Sequence, residues 1–211
     1  MIPYGTFTFF LIAFIVLIPV IILGFLGKRS YIYNGISTAI MIVIIFASDK
    51  HNLLGQKYLS AQLFCFIIYV IWQVALIMYY YQSRQKKNTF TKFVTIMVLS
   101  ILPLAIVKIL QSSWLGGHQI HFHESKLIEF VGFLGISYVT FKSVQLIMEI
   151  RDGSIKEIKV GKLIQFISFF PTISSGPIDR YKRFVKDDKK VPSGAEYREL
   201  VVKAIHMLSL I

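Results

Sequence analysis

Cysteine is almost missing from this chain: Cys65 is the one in 211 residues, and it lies inside an apolar run. That excludes a disulfide framework and a cysteine-ligated metal site. Charge is also scarce. Asp, Glu, Lys and Arg together make up 16% of the chain, against roughly a quarter in a soluble globular domain. Acidic residues are the scarcer sign, 11 against 23 Lys and Arg, which leaves a formal net charge of +12. The positive charge is parcelled out between apolar runs, as the orientation signals of a membrane protein are, so no nucleic acid partner is expected. The first apolar run lacks a basic segment before it and an A-x-A-like cleavage site, and it reads as a retained span. Internal repeats and low-complexity segments are lacking too.

Apolar residues fill the chain instead. They make up 55% of it, and the mean hydropathy is +0.64. Several runs approach the roughly 20 residues that cross a hydrocarbon core. The expected fold class is all-α: a polytopic helical membrane protein, with residues 1–211 forming a single membrane domain. It has about five transmembrane helices, a re-entrant broken helix and a final partial helix.

The spans are expected at Thr6–Leu26, Tyr31–Ser48, Tyr58–Tyr81, Phe93–Leu110 and Leu127–Ile150. Pro19 and Pro103 fall inside the first and fourth. Tyr79, Tyr80 and Tyr81 read as an aromatic belt at headgroup level. Residues 83–88 form a basic loop. Arg151-Asp152-Gly153 forms a turn, and Ile155–Val160 a short surface helix. Ser193 and Glu196 have the spacing of a capping box and open the last helix. Loops on one side hold sixteen Lys and Arg, and those on the other hold four. The positive-inside rule then puts the N-terminus outside the cell.

The stretch 164–177 is apolar at first, and too short to cross. Pro171 removes a backbone donor and disfavours helix at Phe170. Ser174, Ser175, Gly176 and Pro177 cannot continue a regular helix. Irregular backbone at membrane depth is tolerated only where protein buries it or it lines a cavity. A re-entrant element is therefore expected, broken at Pro171, Gly176 and Pro177. Residues 178–192 follow as a basic cytoplasmic connector.

Tyr138, Lys142, Gln145 and Glu149 share one helical face of the fifth span. Ionisable groups inside a membrane normally face the bundle interior or a wet cavity. The face reads as the wall of a substrate path, joined by Ser174 and Ser175. Alternatively, Lys142 snorkels to the cytoplasmic interface and pairs with Glu149. Asp179, Arg180, Tyr181, Lys182 and Arg183 form an anion-facing surface suited to phosphate, an acidic partner or lipid headgroups. His118, His121 and His123 lack a supporting ligand set, and no metal is expected.

Two passages carry a family resemblance. They are Gly135-Ile136-Ser137-Tyr138-Val139-Thr140-Phe141-Lys142-Ser143-Val144-Gln145, followed by Glu149-Ile150-Arg151-Asp152-Gly153, and Phe169-Phe170-Pro171-Thr172-Ile173-Ser174-Ser175-Gly176-Pro177-Ile178-Asp179-Arg180-Tyr181. In these the chain resembles the membrane-bound O-acyltransferases, in their D-alanyl transfer branch from Gram-positive bacteria. The resemblance implies a multi-pass cell-membrane enzyme in which a ring of helices surrounds a thin, funnelled centre. It implies transfer of D-alanine from the phosphopantetheine of a cytoplasmic D-alanyl carrier protein to lipoteichoic or wall teichoic acid. Phosphopantetheine arrives on the carrier, and no cofactor is bound. Membrane lipids and other membrane proteins of the D-alanylation pathway are the remaining implied partners. The family's catalytic histidine lies in a later apolar helix, and none of the five histidines here has that context. No catalytic residue is carried over. The chain resembles the N-terminal half of such an enzyme and is expected to be inactive alone. A membrane transporter and a non-catalytic scaffold are the alternatives.

Overall fold

The computed structural model describes residues 7–28, 31–47, 55–86, 89–111, 135–155, 157–169, 172, 179–189 and 192–209. Eight helices and no strand occur among them: α1 (Phe7–Phe25), α2 (Tyr31–Ala47), α3 (Gly55–Lys86), α4 (Phe90–Gln111), α5 (Ile136–Arg151), α6 (Val160–Ile167), α7 (Tyr181–Lys189) and α8 (Gly194–Ser209). The protein is an all-α membrane protein. Within α3 and α4, Leu63–Gln85 and Phe90–Ile109 are long and apolar enough to cross a bilayer, and the shorter stretches Leu11–Phe25 and Tyr33–Ile44 are also apolar. The chain divides into two compact units, Met1–Lys50 with Lys186–Ile211, and His51–Val185.

In the first unit α1 packs against α8. α1 runs through Pro19 and ends where Gly27 turns left-handed at φ 62°. The Lys28 N–H then donates to the Leu23 carbonyl at 2.9 Å. That 6→1 bond satisfies a carbonyl the helix end would leave orphaned. α8 opens with the expected capping box: the Ser193 N–H donates to Glu196 Oε2 at 3.0 Å, and the Glu196 N–H to Ser193 Oγ at 3.3 Å. The Tyr197 ring meets Phe25 edge-on at 5.1 Å and covers Gly24 so closely that a Cβ there would overlap the ring. Gly24→Ala is therefore expected to cost about 1–3 kcal/mol through overpacking. Thermal unfolding in detergent checks this, and Tyr197→Ala in the same chain should recover most of the loss. Equal melting of Gly24→Ala and wild type would refute the contact.

In the second unit α3 and α4 each pack along α5. A fully buried polar chain joins all three. The Gln73 amide donates to Tyr69 Oη at 2.8 Å and to the Ser100 carbonyl at 3.0 Å, and it accepts from Ser100 Oγ at 2.8 Å. Thr140 Oγ1 donates to the Ile136 carbonyl at 2.7 Å. That uses the single hydroxyl proton of Thr140, so the 2.6 Å contact between Tyr69 and Thr140 has Tyr69 as donor. Every member is satisfied, as a polar network inside a membrane bundle requires.

Three local expectations need correction. Residues 83–86 continue α3 rather than starting a loop. Ile155, Glu157, Ile158 and Lys159 are not helical; the helix begins at Val160. Ile155 and Ile158 are buried while Glu157 and Lys159 are exposed, so this stretch lies along the surface as non-helical chain with its two isoleucines turned in. The tyrosine triplet does not act as one unit. Tyr79 is exposed while Tyr80 is buried, because consecutive helix residues point about 100° apart. The expected turn at Arg151-Asp152-Gly153 is present: Gly153 is left-handed at φ 76°, and the Ser154 N–H reaches back to the Glu149 carbonyl at 3.1 Å. The fifth span's first residues, 127–134, lie outside the described residues, and α5 is seen from Ile136.

Candidate functional site

The apolar stretch after α5 yields only an eight-residue helix, α6, which ends at Ile167 with Ser168 as its C-cap. At 1.5 Å per residue it rises about 12 Å, less than half of a hydrocarbon core. Thr172 follows in a tight turn, its N–H on the Phe169 carbonyl at 3.1 Å. The chain is next described at Asp179, and α7 begins at Tyr181.

Two ionisable residues of α5 reach across to this break. Lys142 is 2% exposed. Its ammonium donates to the Phe166 carbonyl at 3.2 Å and to Thr172 Oγ1 at 2.6 Å. Thr172 passes its own proton to the Phe169 carbonyl at 3.2 Å. The ammonium also lies 5.6 Å from the centre of the Phe166 ring. Phe166 is in the last turn of α6, where carbonyls lack intrahelical partners and the helix dipole is negative. A cation there is the favourable sign. Seven residues on, about 10 Å along the helix axis, the Glu149 carboxylate faces the Gln145 side chain, the backbone N–H of Lys182 and the Arg180 charge, with its Oε2 buried and without a hydrogen-bond partner among the described residues. Lys182 is in the first turn of α7, where N–H groups are orphaned and the dipole is positive. So α5 caps the end of α6 with a cation and the start of α7 with an anion.

The two ends of the segment also meet each other. Tyr181 is buried, its ring 5.5 Å from Phe166, and its hydroxyl bonds the backbone of Lys159 just before α6. Burial pushes the Tyr181 phenol above its ordinary pKa, the Lys159 bond opposes that, and the Glu157 carboxylate adds to it. The phenol therefore stays protonated in neutral solution. Phe184 packs edge-on against Phe166 at 5.4 Å and Phe169 at 5.6 Å, closing α7 onto α6.

The structure brings Lys142, Gln145 and Glu149 to the break, while Tyr138 is half-buried on the same helix. Lys142 and Glu149 hold opposite sides of the break and are not a snorkelling pair. Asp179 is half-buried, accepts the Arg180 N–H at 2.8 Å and lies 3.8 Å from Arg183 Nε. Its carboxylate also attracts the Lys142 ammonium. Arg180, Lys182 and Arg183 are exposed. Tyr181 departs from the expected anion-facing surface, because its ring fills the core beside Phe166. Pro171, Ser174, Ser175, Gly176 and Pro177 lie outside the described residues, as do His118, His121 and His123. Thr172 was passed over in the sequence, although a hydroxyl one residue after Pro171 is a signal for a side-chain-held turn. Among the described residues no group of three His, Cys, Asp or Glu could hold a metal.

An all-α membrane protein with a charged clamp around a helix break is a class broader than any one activity, and comparison with known sequences narrows it. No family model matches the chain. It is 45% identical over 209 residues to the teichoic acid D-alanyltransferase of Bacillus subtilis, 42% over 211 residues to that of Lacticaseibacillus rhamnosus, and 31% over 208 residues to that of Streptococcus thermophilus. Each match covers 99% of this chain and 45–49% of the relative, so the chain spans about half the length of the curated relatives it matches. Along its whole length the chain is similar to about half of each of these teichoic acid D-alanyltransferases, the similarity that the resemblance implied.

Proposed function

We propose that this chain forms the N-terminal part of a membrane-bound O-acyltransferase that moves D-alanine from a phosphopantetheinyl carrier protein, across the cell membrane, to teichoic acid. The observation that carries this is the 31–45% identity along 99% of the chain to proteins named teichoic acid D-alanyltransferase. The geometry supports it physically. A carrier-borne acyl group can cross only where protein replaces much of the bilayer. α6 is too short to span, and the hydrogen bond between Tyr181 and Lys159 returns the chain to where it entered. Both features support a re-entrant element with its two flanks on one side. Positive-inside charge supports placing that side in the cytoplasm, with a multi-pass topology and the N-terminus outside.

In this reading Tyr138, Lys142 and Gln145, with Ser174 and Ser175, border the route of the acyl group. Arg180, Lys182 and Arg183 face the carrier or anionic headgroups. The acid–base residues of the transfer belong to the part of the relatives that this chain does not match. The test is the D-alanine ester content of teichoic acid in cells with and without the full-length gene. Loss of ester on deletion is expected, and unchanged content would reject the reading.

A further inference from the structure

A second charged cluster lies where the end of α3, the start of α4 and the end of α5 meet. Tyr80 is 1% exposed, packed 6.2 Å from Phe93. Its hydroxyl is buried and, among the described residues, has no hydrogen-bond partner. One turn on, Arg84 buries its Nε, again without a partner. The Arg84 guanidinium lies against Gly153, where a Cβ would come within 3.0 Å of Nη2. Arg151 supplies a second guanidinium, held over the Phe93 ring at 4.5 Å and the Phe90 ring at 5.9 Å. Both arginines act electrostatically on the Tyr80 hydroxyl, and so does Asp152 with the opposite sign.

Two buried donors without acceptors are costly, since each forfeits its water without replacement. Arg84 Nε can only donate and the Tyr80 hydroxyl can donate beside it, so one acceptor group would complete both. Two guanidiniums against the single carboxylate of Asp152 leave one positive charge unmatched, the charge of a phosphodiester. Arg forks fit phosphate oxygens in shape as well as in sign. Lys92, which donates to Ser83 Oγ at 2.9 Å, adds a further positive charge at this end of the bundle, and a basic helix end of this kind suits an anionic headgroup or a soluble phosphate.

We propose that Tyr80, Arg84 and Arg151 form a binding site for a phosphate group, with the Tyr80 hydroxyl and Arg84 Nε donating to its oxygens. The site is separate from the Lys142 clamp and does not depend on the acyl-transfer reading. The full-length protein is reconstituted in nanodiscs of phosphatidylglycerol and, separately, of a phosphate-free glycolipid. Native mass spectrometry then counts retained phospholipid, and inorganic phosphate is titrated into the glycolipid discs while thermal unfolding is followed. Tyr80→Phe keeps the ring and removes only the donor, and Arg84→Gln removes the charge.

Each variant is expected to lower occupancy roughly tenfold, the scale of a lost charge-assisted hydrogen bond. Retained phosphatidylglycerol that falls in Tyr80→Phe identifies a lipid headgroup. An unfolding shift with inorganic phosphate that disappears in Tyr80→Phe identifies a soluble phosphate. Equal lipid retention in wild type and Tyr80→Phe, with no phosphate-induced shift in either, overturns the proposal. Should Arg84→Gln fail to fold, Tyr80→Phe decides alone.

Discussion

Lys142→Met in the full-length protein is expected to lower D-alanyl transfer by roughly tenfold or more, equivalent to about 1.4 kcal/mol on the barrier, while the protein still accumulates in the membrane. Met fills a similar volume but donates nothing. The Phe166 carbonyl then loses its partner at the end of α6, and Thr172 loses the hydrogen bond that ties its turn to α5. Stranding a buried carbonyl costs about 1–3 kcal/mol. Removing a buried charge relieves a desolvation penalty of opposite sign. The two largely offset in overall stability. They do not offset in geometry, because the Thr172 turn loses its 2.6 Å bond to α5. Activity should therefore fall further than the unfolding temperature. Lys142→Arg should rescue little, since a planar fork cannot place a compact ammonium's donors on two acceptors at 2.6 and 3.2 Å. Thr172→Val should do less damage, because Phe166 keeps its bond. Ester content and membrane abundance are measured together. Wild-type ester content in Lys142→Met would show that the clamp is not needed for transfer.

That clamp was half legible in the sequence. The spacing of Lys142, Gln145 and Glu149 defined a face, and Pro171 with Gly176 and Pro177 announced a break. Periodicity says which side chains lie together but not what packs against them. The pairing of each charge with the opposite end of a broken helix therefore became visible only with α6 and α7 in place. Caps and turns read well because their chemistry is local: Ser193 with Glu196, and Gly153 after α5. Boundaries set by tertiary burial read poorly. Ile155 and Ile158 look like the apolar side of a surface helix until the structure shows them buried in extended chain. Tyr80 looks like its neighbours until the helix turns it inward.

Gln73 and Ser100 were the least legible, single polar positions inside apolar runs, and they give the second large prediction. Gln73 is fully buried and makes three of the network's hydrogen bonds. Side-chain bonds of this kind in membrane bundles contribute about 0.6 kcal/mol on average and up to about 1.7. Gln73→Leu, close in volume and unable to bond, should lower stability by about 2–4 kcal/mol. Tyr69→Phe should cost less. Thr140 still donates to Ile136 when the phenol is gone, and only one Gln73 proton is left without an acceptor. Thr140→Val is the harsher change on that side, because it removes the acceptor 2.6 Å from the Tyr69 hydroxyl inside the bundle. Gln73→Leu combined with Ser100→Ala should cost less than the two changes summed, with a coupling of about 0.5–3 kcal/mol. Equilibrium unfolding in mixed micelles ranks the variants. If Gln73→Leu proves no worse than Tyr69→Phe, the three helices are held by apolar packing, and the polar chain between them contributes little.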